Sequence, residues 1–249
     1  MSSVLDFGEY DSYKSKIAAL PPVGRLEAKH LLNARFRIER SGDIEIYYVP
    51  TGYVNHQAEI ALVGITPGWN QMEIAFRIAR EKILKGLGRV AVCRHAKNAA
   101  AFSGSMRKNL LEMLAGIDIP KAMRISSSDE LFKQARRRVH TTSVLRYPVF
   151  VEGNNYTGHR PQLLNHPLLK RYVDEDFCAE MEMIPNAFII PMGKAVSAAL
   201  EYLVTQGAIS GDRCCFGFPH PSGANAHRKD QFKAQRQGMR KKVRKWFGT

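Results

Sequence analysis

The stretch GFPHPSGANAHR (217–228) sets one histidine, His220, between two prolines and close to two glycines. Proline removes a backbone donor and fixes φ, while glycine opens conformations closed to other residues, so the segment reads as a shaped loop. An imidazole held there can donate a hydrogen bond or a proton near neutral pH from a backbone with little freedom. A plain turn between Phe216 and a helix starting near His227 also accounts for the composition. A second stretch, TPGWNQ (66–71), again joins proline and glycine to polar side chains, Thr66 and Asn70 among them, with Glu73 just beyond.

Both stretches follow apolar runs. Four such runs stand out: EIALVGI (59–65), VHTTSVL (139–145), NAFIIPM (186–192) and RCCFGF (213–218). Amphipathic patterns lie between them at 105–116, 126–138 and 193–207. Near-continuous apolar strands alternating with helices predict a parallel sheet covered on both faces. The expected fold class is α/β, three layers α/β/α around a short central, mainly four-stranded parallel sheet. One domain is expected over 1–249, with a core at 59–249. Residues 1–58 read as helical and hairpin decoration, the hairpin (35–49) turning at Ser41-Gly42-Asp43 and lying at the periphery. In open parallel sheets ligands bind beyond the carboxyl ends of the strands. The two stretches sit at such ends, together with 146–161 and 193–195.

The charge balance narrows the partners. Thirty-seven Lys and Arg against 23 Asp and Glu give a formal net charge of +14, an excess that a solvated surface does not need. A polyanion is the indicated partner, nucleic acid first and an acidic membrane surface second. The tail at 227–249 is cationic, with Asp230 its one acid, and Phe232, Val243 and Trp246 give it an apolar side to dock on the sheet. The four cysteines, Cys93, Cys178, Cys214 and Cys215, form no C-x-x-C pair, so neither zinc nor an iron–sulfur cluster is expected. Adjacent Cys214 and Cys215 on a strand point to opposite faces. No secretion signal or membrane-length apolar run is visible, and reduced thiols in a cytoplasmic, monomeric protein are the expectation.

VGITPGWN followed far downstream by GFPHPSGAN resembles the two signature motifs of the uracil-DNA glycosylase superfamily, G-x-[DNA]-P-[YG] and H-P-S-[PG]. AFSGSMRKNLLEML (101–114) is similar to the segment whose Phe stacks on the flipped base, and PNAFIIPMGKAVSAAL (185–200) to the penultimate strand–helix unit. The match covers about three quarters of the chain, from residue 59 on. Three positions depart from the pattern. Thr66 and Ser105 stand where carboxylates are often found, and Thr142 stands where an Asn reads the uracil edge. The resemblance is therefore to a divergent member, outside the best-known families.

The resemblance implies a monofunctional uracil-DNA glycosylase that flips uracil from single- or double-stranded DNA and hydrolyses its N-glycosidic bond, without a cofactor or metal. His220 would stabilise the departing base; Thr66, Asn70 or Glu73 would position water, although a solvated loop position explains Asn70 and Glu73 equally well. Ile65, Gly68, Trp69, Phe102, Thr142 and Ser143 would bind the base, and Ser222, Gly223, Ala224, Asn225, His227 and Arg228 would meet the DNA. In a bacterium such a protein would associate with the nucleoid. Two alternatives stand beside it: a glycosylase for another deaminated or damaged base, and a non-catalytic DNA-binding module of the same fold. Lys97 and Lys194 are the lysines nearest these loops, a poor basis for Schiff-base lyase chemistry.

Overall fold

The computed structural model describes residues 9–22, 24–102 and 104–249. Its strands are β1 (Arg37–Ser41), β2 (Ile44–Tyr47), β3 (Ile60–Gly64), β4 (Val139–Ser143), β5 (Val149–Val151), β6 (Asn154–Asn155) and β7 (Phe188–Pro191). Its helices are α1 (Glu9–Ala18), α2 (Ala28–Leu31), α3 (Trp69–Leu84), α4 (Arg89–Ala100), α5 (Ser105–Gly116), α6 (Ile119–Ala122), α7 (Pro167–Tyr172), α8 (Cys178–Glu182), α9 (Lys194–Thr205) and α10 (Arg228–Phe247).

The centre is a parallel sheet in the order β4-β3-β7. β3 is buried along its whole length, as expected of a strand with neighbours on both edges and helices on both faces. Side chains alternate across it. Ala61 and Val63 enter one hydrophobic cluster, Ile60 and Leu62 the other. Helices α3, α4 and α9 cover the first face, α5 and α10 the second. The fold is the α/β layering expected from the sequence, with three parallel strands in the sheet.

The fourth apolar run lies beside β7 but makes a single parallel bridge, Ile189 to Cys214. Gly217, at φ +88°, and the prolines beyond it turn the backbone away before a ladder can grow. The two cysteines separate as alternation requires, Cys214 into one cluster and Cys215 into the other. All four cysteines are free thiols.

Three further elements differ from expectation. The 35–49 hairpin forms, with Gly42 at φ +57° in its turn, but it joins a second, antiparallel sheet, β1-β2-β5-β6. Tyr47, Tyr48 and Val49 are buried in the cluster that also holds Ala61 and Val63, so this part is not peripheral. Residues 126–138 form two 3-10 turns, Ser128–Phe132 and Arg136–Arg138, in place of a helix. There Glu130 accepts the Ser126 N–H, and Arg136 turns inward to the Val139 carbonyl and the Thr141 hydroxyl, local bonds that compete with helical pairing. Helices α3 and α4 were not anticipated. Their signal is present, since Met72, Ala75, Phe76 and Ala79 are buried at helical spacing.

α10 docks as its apolar side predicts: Met239 and Val243 are buried, Trp246 stacks on Phe188 at 5.7 Å, and Phe232 meets Phe218 edge-on. Among the described residues no helix is long and apolar enough to cross a membrane.

Candidate functional site

The loops after β3, β4 and β7 and the segment 217–225 line one cleft of about 1290 Å³. Strand direction explains the convergence: parallel strands deliver their carboxyl ends to one edge of the sheet. The first turns of two helices, α3 from Gly68 and α9 from Gly193, face the same space. A helix start favours negative charge, although at α3 the Gly68 and Trp69 N–H groups are taken by Gln71 Oε1 and Asn155 Oδ1. Lys97, Arg146 and Lys194 also line the cleft.

His220 lines the cleft in a loop built to hold it. Its Nδ1 accepts the Ser222 N–H at 3.3 Å, so a neutral ring carries its proton on Nε2. Burial lowers its pKa below the ordinary value of 6.5, which keeps the ring neutral at pH 7. Gly193, at φ +94°, lies against it, and a Cβ there would stand 3.2 Å from that of His220. The rest of the loop is stapled from outside. Asn109 donates to the Pro221 carbonyl at 2.9 Å, and Arg228 donates to the Ser222 carbonyl at 2.8 Å and to Asn109 Oδ1 at 3.2 Å. Asn225 donates to the His220 carbonyl and to Gln231.

Those bonds redefine several expected DNA contacts. Arg228 and Asn225 are braces of the histidine loop, their donors turned inward. The Ser222 hydroxyl accepts the Ala224 N–H at 3.2 Å. Gly223, Ala224 and His227 are exposed. A side chain at Gly223 would meet open space, so nothing nearby demands glycine there.

The water-positioning set is also corrected. Thr66 lines the cleft but is buried, its hydroxyl donating to the Tyr147 carbonyl at 2.8 Å and accepting the Val149 N–H at 3.1 Å. It ties the end of β3 to the second sheet. Glu73 is buried on α3, outside the cleft lining, and holds the Leu26 N–H at 3.1 Å and Arg77 at 3.0 Å. Asn70, like Thr66, lines the cleft, with Oδ1 accepting from Arg25 at 3.0 Å.

Ile65, Gly68, Trp69, Phe102, Thr142 and Ser143 all line the cleft. Phe102 is held at φ +48°, a backbone conformation unusual for an aromatic residue, and its ring meets Phe132 edge-on at 6.4 Å. The Trp69 N–H donates to Asn155 Oδ1 at 2.8 Å. Ser103 and the side chain of Ser105 lie outside the described residues. Gly158, at φ +91°, brings 154–161 against α9: a Cβ there would stand 2.6 Å from that of Ala195.

Sequence reasoning missed the floor of the cleft. Glu180 is buried beneath Thr142 and lines the cleft with it. Its Oε1 accepts from Lys97 Nζ at 3.1 Å and from His140 Nε2 at 2.8 Å, and its Oε2 accepts from the Thr142 hydroxyl at 2.9 Å. Lys97 also donates to the Tyr53 carbonyl at 2.7 Å. Burial acts to raise the Glu180 carboxyl, but Lys97 and the His140 bond outweigh it and hold it well below the usual carboxylate range. Burial, with Lys97 nearby, lowers His140 to about 4. Its Nδ1 accepts the Asn55 N–H at 3.4 Å, so the neutral ring donates from Nε2. Burial likewise lowers the Lys97 ammonium.

A signal for this floor exists in the chain. Glu180 shares a helical face with buried Phe177, and Lys97 one with buried Cys93 and Ala100. Opposite charges on two apolar faces must find each other. Glu180 also follows a π-helical turn, Val173–Phe177, which shifts the register of the helix it belongs to.

No protein-family model matches the chain. Its sequence is 38% identical over 234 residues to the uncharacterized protein YoxB of Bacillus subtilis (strain 168), spanning 93% of this chain and 91% of that one. The chain belongs to the same family as YoxB.

Proposed function

We propose that the protein is a monofunctional uracil-DNA glycosylase. The observation that carries this reading is His220, a neutral imidazole with its proton on Nε2, in a rigid loop at the edge of a cleft that two helix N-termini face. In base release the C1′–N1 bond breaks, its electron pair leaves on the base, and water adds at C1′. The leaving uracil carries negative charge on O2. A donor aimed where charge develops lowers the barrier because it needs no reorganisation. Phe102 supports the reading as a stacking face for a base taken out of the helix. The exposed tip at 223–227 is the part of the loop nearest the DNA, and the cations of α10 continue from it.

Thr66 and Glu73 are committed elsewhere, so water addition relies on leaving-group stabilisation and on Asn70. That commitment also favours a second reading, a DNA-binding module of the same fold without catalysis. Single-turnover release of base from a single-stranded oligonucleotide with one uracil separates the two. The native protein produces an abasic site, and His220→Ala is slower by about a hundred- to a thousandfold. Salt-sensitive DNA binding with no base release by folded protein overturns the catalytic reading. Release of another lesion base in place of uracil shifts the substrate.

A further inference from the structure

We infer that the cleft has a second arm, between α9 and α10, that takes the base next to the flipped one and favours a neighbour carrying an exocyclic amine. The occupant, a base of a single strand, rests on the glycosylase reading. The preference rests on the side chains that line the arm.

The arm exists because the sheet stops short. The 213–218 run makes one bridge to β7 and turns away at Gly217, so among the described residues no further strand fills the edge between the two helical layers. Ser197 and Glu201 of α9 and Gln231, Ala234 and Gln235 of α10 line that space, which is continuous with the cleft at His220. Their spacing, i and i+4 on one helix and i, i+3 and i+4 on the other, is that of a single face on each. Glu201 lies about 12 Å of helix beyond Gly193, the residue set against His220, a depth that admits one base. Gln235 closes the inner wall, since a Cβ at Gly217 would stand 3.2 Å from its Oε1.

Charge is distributed along the arm as a nucleotide requires. Lys194 and the start of α9 stand at the mouth, where the phosphate joining the two nucleotides passes. Deeper in, the lining face of α10 is uncharged on a helix otherwise rich in Lys and Arg, and the Glu201 carboxylate repels a phosphate. A neutral ring is what these groups pair with. Glu201 only accepts, and among the described residues nothing pairs with its carboxylate or with the Gln235 amide. Gln231 Oε1 already accepts from Asn225 at 3.0 Å, so its amide offers the arm donors. Adenine, cytosine and guanine bring an exocyclic amine to the carboxylate and a ring-nitrogen acceptor near it to the amides. Thymine has no amine, and its one ring N–H is flanked by two carbonyls that set lone pair against lone pair.

The test is fluorescence-anisotropy binding, at low salt, of single-stranded oligonucleotides carrying one 2′-fluoro-deoxyuridine, whose glycosidic bond resists cleavage. The 5′ and then the 3′ neighbour is set to adenine, cytosine, guanine, thymine or an abasic spacer, and base release from the matching deoxyuridine strands is followed alongside. At one of the two neighbours the three amine-bearing bases bind at least about fivefold more tightly than thymine or the spacer. Glu201→Leu brings thymine level with the other bases. Ala234→Phe, whose ring fills the arm, brings every base to the level of the spacer. Both positions are exposed, so both variants fold. Native ratios near one at both neighbours, a preference that survives both variants, or no binding of any strand overturns the inference. A protein that releases uracil but shows no neighbour preference loses the inference alone. One that shows the preference and releases no base loses the catalytic reading alone.

Discussion

The histidine loop at 217–228 and the carboxylate floor around Glu180 face the same cleft but are built from different materials. In the loop, two prolines restrict the backbone, Gly217 turns it, and uncharged or singly charged bonds from Asn109, Asn225 and Arg228 finish the work. In the floor, a buried carboxylate, ammonium and imidazole meet from three distant elements, α8, α4 and β4. The loop is held by local covalent stiffness. The floor is held by charges that cannot be buried singly. One consequence is that the loop tolerates loss of its functional side chain, whereas the floor does not.

The largest expected effect tests that contrast. Glu180→Ala leaves Lys97 buried without its counter-charge and destabilises the protein by about 3–5 kcal/mol, read from denaturant unfolding. His220→Ala removes one acceptor from a backbone N–H and costs about 1 kcal/mol or less, while its effect on base release stays large. A Glu180→Ala protein as stable as the native one would erase the distinction. Next in size is Arg228→Ala, which removes the brace between Ser222 and Asn109. Loss of two charge-assisted bonds at a half-buried site costs about 1–2 kcal/mol. It also lowers base release with little change in the salt dependence of DNA binding, whereas a phosphate contact would reduce that dependence.

The smallest effect is a pH dependence with a definite sign. Burial depresses both His140, to about 4, and His220. A histidine depressed in the folded state adds stability in full above its unfolded value of about 6.5 and loses it as pH falls, because the unfolded chain takes up protons the native state refuses. Stability therefore declines as pH drops from about 6.5 toward 4. Base release falls on the same acid side, at a pH below 6.5, as His220 protonates and its Nδ1 can no longer accept from Ser222. A rate that rose on acidification through this range would count against His220 as a neutral donor.

Much of the sheet was legible. The runs at 59–65, 139–145 and 186–192 became β3, β4 and β7, and alternation correctly put Cys214 and Cys215 on opposite faces. Strand ends carrying Pro, Gly and polar residues did converge on one cleft. The failures were where a side chain could choose among partners. Thr66 and Glu73 read as groups that position water; Thr66 does line the cleft, yet its hydroxyl is taken by the Tyr147 carbonyl and the Val149 N–H, and Glu73 lies outside the lining and holds the Leu26 N–H. Arg228 read as a residue that meets the DNA, and in the structure its guanidinium braces the histidine loop.

The sequence by itself determined the parallel strands, the stiff backbone around His220 and the excess of positive charge, because hydrophobic periodicity, proline and glycine geometry and net charge act over a few residues or over none. The tertiary structure alone decided that Glu180 would meet Lys97, 83 residues away, and His140, 40 residues away. The reason is physical. A buried charge takes its partner from whatever the fold brings within about 3 Å, and no local pattern encodes which residue that will be.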